Sequence, residues 1–278
     1  KQWYQNFKDL NWTLNFKLSL SYICFDLKAF IYITLFLSFS VFSQEEKFIL
    51  STVAFYNVEN LFDAVDDPKN SWDQNWLNDG VWNEEIYQQK LNNISKVIPE
   101  IGQDYTQNHP TIIGLCEVEN RKVLIDLVQS EPMKKYNYGI IHFDSPDERG
   151  IDVALLFDRL RFKPKKAKSY PLKLKRNDGQ RDFTRDQLLV EGFLDQEKIY
   201  FIVNHWPSRS GGQIKSEPSR IKAGQLNKRI IDSIQILDKQ AKIITMGDFN
   251  DDPKDFSIKN TLNTSGKKNK LSKNQLFN

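Results

Sequence analysis

The sequence predicts an α/β protein built as a sandwich of mixed β-sheets. Apolar runs of strand length alternate irregularly with amphipathic helices, and two of the runs are joined by a hairpin turn instead of a helix. No strand leads into a G-x-G-x-x-G or Walker A pattern, and no serine lies in a G-x-S-x-G elbow. The net charge is +3, too small to favour non-specific binding to nucleic acid.

An apolar segment near the start of the chain predicts export. Residues 29–43 are uncharged and follow Lys28, and Val41 and Ser43 are the small −3 and −1 residues of a cleavage site. The segment suits a signal peptide better than a full membrane span, and an uncleaved anchor and a core helix are the alternatives. We expect a leader at 1–43, a folded domain at 48–278, and a secreted or periplasmic protein that meets a membrane only through an uncleaved leader.

The first predicted strand, 48–56, is rich in β-branched and aromatic residues. It ends at Asn57-Val58-Glu59, where Asn57 and Glu59 are expected to share one face of the extended chain. An apolar stripe predicts a helix over 84–101.

The second predicted strand, 111–116, ends at Glu117. An unpaired carboxylate at the end of a buried strand costs several kcal/mol. Glu117 is therefore expected to hold a cation or to pair with a lysine or arginine, and the sequence leaves both alternatives open. Cys116 lies in the apolar run and is expected to pack in the core.

The middle of the chain predicts antiparallel strands. Residues 140–143 and 151–157 form a hairpin around a polar turn, and further strands are expected at 183–190 and 198–203. Residues 163–176 are rich in lysine, which is typical of a solvated edge strand and less typical of a nucleic-acid groove.

Two further strands are predicted to end in chemically active side chains. The strand at 198–203 ends at His205, and a helix over 219–237 returns the chain to an apolar run that ends at Gly247. Asp248 and Asn250 follow, two residues apart, so that on an extended chain both side chains point the same way.

The residue types at these four strand ends favour metal-assisted phosphoester chemistry. Glu59 and Glu117 supply the hard oxygen donors that Mg²⁺ prefers, with Mn²⁺ or Ca²⁺ as substitutes. His205 can donate a hydrogen bond to a phosphate oxygen, as can the carboxamides of Asn57 and Asn250. An ionised Asp248 can orient or deprotonate an attacking water.

Asn57-Val58-Glu59, Leu115-Cys116-Glu117, Asn204-His205 and Gly247-Asp248-Phe249-Asn250, in this order, resemble the motifs of the endonuclease/exonuclease/phosphatase superfamily, which contains deoxyribonuclease I. The resemblance extends from about residue 50 to the end of the chain. It implies a four-layer α/β sandwich of two mixed β-sheets flanked by helices, Mg²⁺ dependence and phosphoester hydrolysis.

The resemblance also implies a role for each matching residue. Glu117 would be the chief metal ligand, with Glu59 beside it, and Arg185 would match a phosphate-side arginine. The catalytic residues implied are Asn57, His205, Asp248 and Asn250.

One feature departs from the family pattern. Members of the family normally end with a further strand and an Asp-His pair that shares the acid–base work. In this sequence no histidine follows His205. We therefore expect a domain that is incomplete at its C-terminus, lacks the last strands and is weakly active or inactive.

Three functions remain open on the sequence. An exported nuclease or phosphodiesterase is the first, a phosphatase or phospholipase C-type enzyme on lipid or inositol phosphates is the second, and an inactive phosphate-ligand-binding module is the third. The expected partner is nucleic acid or another phosphoester, and no stable protein partner is implied. Arg209 is a second candidate for substrate binding. With five other basic residues it forms either a nucleic-acid stripe or a solvated helix face: Lys215, Arg220, Lys222, Lys228 and Arg229.

Overall fold

The fold is described from a computed structural model, which covers residues 48–68, 70, 72–77, 81–176, 178–272 and 274–278, with the backbone alone at 75 and 76. The predicted leader, 1–43, and its apolar segment, 29–43, lie outside these ranges. Leu50–Asn278 pack as one unit. A search of the described ranges finds no helix that combines the length and the apolar composition of a membrane span.

Four strands form the first mixed sheet, sheet A: β1 (Val53–Leu61), β2 (Ile112–Val118), β3 (Tyr138–His142) and β4 (Asp152–Asp158). Their order across the sheet is β1-β2-β4-β3. β1 and β2 are parallel, whereas β4 is antiparallel to both β2 and β3. The predicted hairpin is therefore confirmed as the β3–β4 pair.

The remaining strands are β5 (Phe162–Tyr170), β6 (Leu174–Lys175), β7 (Arg181–Asp182), β8 (Gln187–Leu194), β9 (Glu197–His205), β10 (Lys242–Asp248), β11 (Thr264–Ser265) and β12 (Leu276–Phe277). Sheet B, also mixed, has the order β10-β9-β8-β5, with β10 and β9 parallel. β5 lies at its edge with its lysines exposed, as the lysine-rich sequence predicts.

The α-helices of the described ranges are α1 (Asp73–Leu77), α2 (Glu84–Glu100), α3 (Gln103–Thr106), α4 (Arg121–Gln129) and α5 (Gln213–Leu237). Asparagine side chains cap two of them. Asn83 Oδ1 accepts a hydrogen bond from the Ile86 amide at the start of α2, and Asn120 Oδ1 accepts one from the Val123 amide at the start of α4. Each cap satisfies an amide that has no partner within its helix.

Three apolar clusters define four layers. Residues of α2 and α4 pack against sheet A, as Ile98 and Leu124 do in one cluster with Leu115. Leu155 and Phe201 belong to a second cluster, between the two sheets. The third cluster joins α5 to the other face of sheet B. The order helix, sheet, sheet, helix confirms the predicted four-layer α/β sandwich.

Three predicted elements differ in extent from the structure. The helix expected over 219–237 begins six residues earlier, at Gln213. The first strand begins at Val53 and not at residue 48, and Phe48–Leu50 are exposed, since none of the described layers covers that apolar run. The strand expected from 183 begins at Gln187, so that Arg185 lies in the segment before it. The Arg185 guanidinium binds Asp147 and the Trp206 carbonyl, contacts that a place in the strand ladder would not give.

Candidate active site

Two pairs of parallel strands bring the four motifs to one edge of each sheet. In sheet A, Asn57 on β1 is in register with Cys116 on β2, and Glu117 follows. In sheet B, Asp248 at the end of β10 is in register with His205 at the end of β9. The carboxyl ends of parallel strands lie at a common edge, where ligands bind in many α/β proteins.

Four side chains converge at these strand ends. Asn57 Nδ2 donates hydrogen bonds to Glu117 Oε1 at 3.1 Å and to Asp248 Oδ2 at 3.2 Å. His205 Nε2 is 3.7 Å from Glu117 Oε1. One ligand atom each from Glu117, His205 and Asp248 lies within 4.8 Å of the other two. These four residues are called the strand-end cluster below, and their chemical roles stay predictions.

The strands of sheet A reach the cluster through backbone that is rare for residues other than glycine. φ is 63° at Glu117, 54° at Glu59 and 62° at Asn60. The left-handed conformation costs about 1–2 kcal/mol for a residue with a Cβ atom, so it persists where surrounding contacts impose it. The register between β1 and β2 shifts in the same region, between Asn57 and Leu61. Such a bulge re-aims side chains at the end of a strand.

The bulge also separates Glu59 from the other acids. Its side chain is exposed, its amide donates to Asn57 Oδ1 at 2.8 Å, and its carbonyl accepts from Lys90 Nζ at 2.6 Å. The chain is not extended at Glu59, whose φ is 54° and whose amide bonds the Asn57 side chain, and a shared face for the two side chains stays a prediction. Glu59 also lies outside the group of three ligand atoms within 4.8 Å. A metal-binding role for Glu59 stays a prediction.

His205 is held as a neutral imidazole. Burial, reinforced by the guanidinium groups of Arg185 and Arg149, lowers its pKa to about 2. A neutral imidazole carries one N–H, which is available as a donor to an oxygen atom. Nδ1 is buried and has no hydrogen-bond partner among the described residues.

The residues after β10 form a turn that is tied to the residues after β9. The Asn250 amide donates to Asp248 Oδ1 at 3.0 Å, and Asn250 Nδ2 donates to the Trp206 carbonyl at 3.1 Å. The Trp206 amide donates in turn to the Asp248 carbonyl at 2.9 Å. Asn250 thus lies beside the cluster, and one part of its carboxamide positions the turn.

Behind His205 and Asp248 lies a buried polar network that the sequence analysis missed. Asn204 Nδ2 donates to Thr245 Oγ1 at 2.9 Å, and Asn204 Oδ1 accepts from Asn227 Nδ2 at 2.7 Å and from Trp206 Nε1 at 3.2 Å. Asn204 and Asn227 are fully buried. A Cβ atom on Gly247 would lie 2.3 Å from the Asn204 carbonyl oxygen, so only glycine fits there. Asn227 gave no signal because polar residues on a predicted helix face are usually solvated.

The two predicted substrate-binding arginines differ in their surroundings. Arg185 is buried next to the cluster, with Nη1 on Asp147 Oδ2 at 3.0 Å and Nη2 on the Trp206 carbonyl at 2.8 Å. Arg209 Nε donates to the Asn250 carbonyl at 2.8 Å, and its Nη2 lies within 3.5 Å of Asp251, Asp252 and Asp255. Arg209 therefore braces the turn after β10, and its binding of substrate stays a prediction.

The six basic residues suggested as a nucleic-acid stripe do not form a continuous row of exposed, unpaired side chains. Arg220 is fully buried and its Nε donates to Asp251 Oδ1 at 2.6 Å. Lys228 pairs with Asp232 one turn along α5. Arg209 is engaged by the acidic turn, so the expected row of cations is broken by acidic partners at three of its six positions.

A second group of potential ligands lies at the β3–β4 hairpin. One atom each from His142, Asp144 and Asp152 lies within 4.8 Å of the other two. His142 Nε2 is hydrogen-bonded to Asp152 Oδ2 at 2.9 Å, and Ser145 donates twice to the other carboxylate oxygen. These bonds account for the group as the anchor of the hairpin turn. Asp144 is largely exposed.

The chemistry of the strand-end cluster fits a divalent cation. Two carboxylates, from Glu117 and Asp248, come together with one neutral imidazole nitrogen, from His205. A cation would offset the repulsion between the two carboxylates, which Asn57 Nδ2 bridges. A set dominated by oxygen donors is typical of Mg²⁺, Mn²⁺ or Ca²⁺ sites.

Several solved structures are similar to this chain. The human Nocturnin catalytic domain, solved with a bound sulfate anion, is 21% identical with a TM-score of 0.43, and the match covers 54% of this chain and 55% of that one. A Bacteroides thetaiotaomicron protein of the endonuclease/exonuclease/phosphatase family is 16% identical with a TM-score of 0.49 over 77% and 66% of the two chains. TDP2 of D. rerio, complexed with single strand DNA product, is 14% identical with a TM-score of 0.38 over 55% and 52%.

The chain spans between half and two thirds of the length of these three structures. No curated protein matches it. Residues 52–278 match the model of the Endonuclease/Exonuclease/phosphatase family. Since this match takes in most of the chain, the protein belongs to the endonuclease/exonuclease/phosphatase family.

Proposed function

We propose that this protein is a Mg²⁺-dependent hydrolase of phosphoester bonds, acting as a nuclease or phosphodiesterase. The observation that supports this most strongly is the strand-end cluster. Glu117, His205 and Asp248 present ligand atoms within 4.8 Å of one another, and Asn57 Nδ2 bridges the two carboxylates. The family contains endonucleases, exonucleases and phosphatases, which share hydrolysis of a phosphoester.

Glu117 and Asp248 would hold the cation, and the exposed Glu59 carboxylate is a further candidate. Mn²⁺ or Ca²⁺ would be substitutes for Mg²⁺. A bound cation supplies Lewis-acid stabilisation of the charge that develops on the phosphoryl oxygens.

The side chains of this chain would divide the remaining work. Asp248, whose Oδ1 and Oδ2 are oriented by the Asn250 amide and by Asn57, would accept a proton from the attacking water. His205, held neutral by burial, would donate its single N–H to a phosphoryl oxygen.

The level of activity is part of the proposal. Of the three histidines, His205 alone lies at the cluster, because His109 contacts Asp158 and His142 contacts Asp152. We propose slow turnover of substrate with normal binding of metal and phosphoester, and a phosphate-binding module is the alternative.

The test compares substrates and one pair of variants. Plasmid nicking and phosphate release from lipid and inositol phosphates are measured with Mg²⁺ and with a chelator, for the wild type, for Asp248→Asn and for Asp144→Asn. We expect metal-dependent nicking that falls by about 10²-fold or more in Asp248→Asn and is unchanged in Asp144→Asn, where the substituted carboxylate belongs to the hairpin anchor.

Each other outcome has a distinct meaning. Hydrolysis that persists with chelator or in Asp248→Asn would refute the proposed scheme. Release of phosphate without nicking would make the protein a phosphatase. Metal-dependent binding of phosphate with no turnover of any substrate would make it a binding module.

We also propose export, on the apolar segment 29–43 alone. Expression of the gene in a host with an export pathway, followed by N-terminal sequencing of the product, tests this. A mature protein that begins at Gln44 is expected, and a product that keeps the segment and stays inside the cell would refute it.

A further inference from the structure

Arg149 is a cation at the candidate active site that the motifs do not include. It lies in the turn between β3 and β4 and is partly exposed. Its Nη2 donates to Asn60 Oδ1 at 2.5 Å. Asn60 lies three residues after Asn57 on the chain. Among the described residues, no carboxylate oxygen lies within 4 Å of its guanidinium nitrogens, unlike Arg185, Arg209 and Arg220. A guanidinium has five N–H donors, so most of those of Arg149 remain available for a ligand.

A chain of hydrogen bonds connects this turn to the strand-end cluster. Asp147 Oδ1 accepts from the Arg149 amide at 3.0 Å, and Asp147 Oδ2 accepts from Arg185 Nη1 at 3.0 Å. Arg185 Nη2 donates to the Trp206 carbonyl, and the Trp206 amide donates to the Asp248 carbonyl. Asp147 thus fixes the backbone of Arg149 relative to the end of β10.

The turn itself is held in one shape. Gly150 has a φ of 68°, and a Cβ atom there would lie 2.0 Å from Asn70 Nδ2. The Gly150 amide donates to the Asp147 carbonyl at 3.0 Å, and Asn70 Nδ2 donates to the Arg149 carbonyl at 3.4 Å. The Arg149 side chain therefore projects from a braced backbone, which lowers the entropy cost of holding it against a ligand.

Two guanidinium groups lie on this side of the cluster, and among the described residues only that of Arg185 has a carboxylate partner, Asp147. The guanidinium groups of both Arg149 and Arg185 act on His205, whose pKa they help to lower. The Arg185 side chain is nine-tenths buried, and its Nε–H has no acceptor among the described residues. A buried donor of this kind destabilises the folded protein unless a partner is supplied. Two guanidinium groups beside the strand-end cluster, one of them with an unpartnered buried N–H, are arranged for an anionic ligand.

We propose that Arg149 is a substrate-binding residue, which donates hydrogen bonds to a non-bridging phosphate oxygen of the phosphoester. The Asp147–Arg185 pair is the positioning support for it. This inference rests on the proposed function, since it names a further residue of the same site. Arginine suits the role because its planar fork matches phosphate geometry with two parallel N–H donors. The competing explanation is that Arg149 only braces Asn60.

The probe is inorganic phosphate, with binding measured by isothermal titration calorimetry in the presence of Mg²⁺. The wild type is compared with Arg149→Gln, Arg149→Lys, Asn60→Ala and Arg176→Gln. Arg176 is the matched control, because it contacts Glu148 of the same turn from the exposed side. Removing a hydrogen bond between charged groups is expected to weaken phosphate binding about tenfold, which is ~1.4 kcal/mol.

The affinities of the variants distinguish phosphate binding by Arg149 from a purely structural contact of Arg149 with Asn60. Arg149→Gln should bind phosphate about tenfold more weakly, Arg149→Lys should recover part of the loss, and Arg176→Gln should match the wild type. For a single-stranded oligodeoxynucleotide, Arg149→Gln should also lower the slope of log Kd against log salt by about 1, which loss of a mere brace would not do.

Three outcomes would overturn the inference. They are phosphate binding by Arg149→Gln equal to that of the wild type, an Asn60→Ala variant that loses as much affinity as Arg149→Gln, and a wild type that binds no phosphate. Failure of this inference can be told apart from failure of the proposed function. If hydrolysis is metal-dependent and the Arg149 substitutions have no effect, the protein is a hydrolase in which Arg149 does not bind substrate. If phosphate binding depends on Arg149 and no substrate is hydrolysed, Arg149 binds phosphate and the proposed hydrolase function is refuted.

Discussion

Asn57 Nδ2 and Asp248 Oδ2 are 3.2 Å apart and join the two sheets, although 191 residues separate them along the chain. The same nitrogen donates to Glu117 Oε1 at 3.1 Å. One carboxamide therefore supplies a donor to each of two carboxylates from different sheets. Asn57 keeps these acids close before any cation binds.

This bridge predicts the effect of Asn57→Asp. The change replaces the donor by a third carboxylate, so we expect the free energy of unfolding in chelator to fall by about 1–3 kcal/mol. Added Mg²⁺ should restore part of the loss, because a cation neutralises the extra charge. Urea unfolding with chelator and with Mg²⁺ measures both effects.

Asn93→Asp is the control, since Asn93 is exposed on α2, and it should change stability by less than about 0.5 kcal/mol. An Asn57→Asp variant as stable as the wild type in chelator would show that the bridge does not hold the two carboxylates together.

The turn after β10 depends on a buried ion pair. Arg220 and the Asp251 side chain are both fully buried, and Arg220 Nε donates to Asp251 Oδ1 at 2.6 Å. Arg220→Met leaves a buried carboxylate without its main partner, and we expect a loss of about 3–5 kcal/mol in the free energy of unfolding. The midpoint and slope of urea unfolding measure it.

Arg209→Gln is the matched comparison. Arg209 Nη2 is 3.5 Å from the same Asp251 carboxylate, but its side chain is 42% exposed. Because solvent screens it, its loss should cost less than about 1 kcal/mol. Equal effects of the two substitutions would contradict the distinction between the buried and the exposed guanidinium.

The pH dependence of stability is expected to carry a contribution from Glu119. Burial raises the pKa of its carboxyl to about 8, against an ordinary value near 4.5, although the Asp63 amide donates to it at 2.7 Å. The folded protein thus binds one proton more than the unfolded chain between these values. The contribution of Glu119 to the free energy of unfolding is fully present below pH 4.5. It is lost as the pH rises to 8, by at most about 1.4 kcal/mol per pH unit.

Glu119→Gln removes this dependence because glutamine resembles the protonated acid. Thermal unfolding from pH 4 to pH 9 should show the variant more stable than the wild type above pH 6, with the difference growing toward pH 8. Glu100→Gln, at an exposed position on α2, serves as the control. Parallel curves for wild type and Glu119→Gln would rule out a buried neutral carboxyl.

The sequence predicts the strand ends well and their details poorly. Glu117, His205 and Asp248 each follow a continuous apolar run, a local pattern that sets their place at a strand end. The turn between Asn57 and Glu59 depends on a bulge against β2, and no local pattern reveals which register two strands adopt. Arg149 was missed because a charged residue in a polar turn is usually solvated.

Partners distant along the chain account for the remaining differences. Arg220 was expected on a solvated or nucleic-acid-binding face, but its partner Asp251 lies in the turn after another strand. Asn227 belongs to a network with Asn204 and Thr245 on two adjacent strands. These side chains are buried because specific acceptors exist, and such pairing appears only once the chain has folded.

The central claim, that Glu117 and Asp248 hold a divalent cation, is tested most directly by Mn²⁺ titration followed by electron paramagnetic resonance. The wild type, Glu117→Gln and His142→Asn are compared, the last because His142 belongs to the other group of potential ligands. We predict that Glu117→Gln weakens Mn²⁺ binding by at least about tenfold and that His142→Asn binds as the wild type does. Unchanged binding by Glu117→Gln, with loss of binding by His142→Asn, would contradict the account.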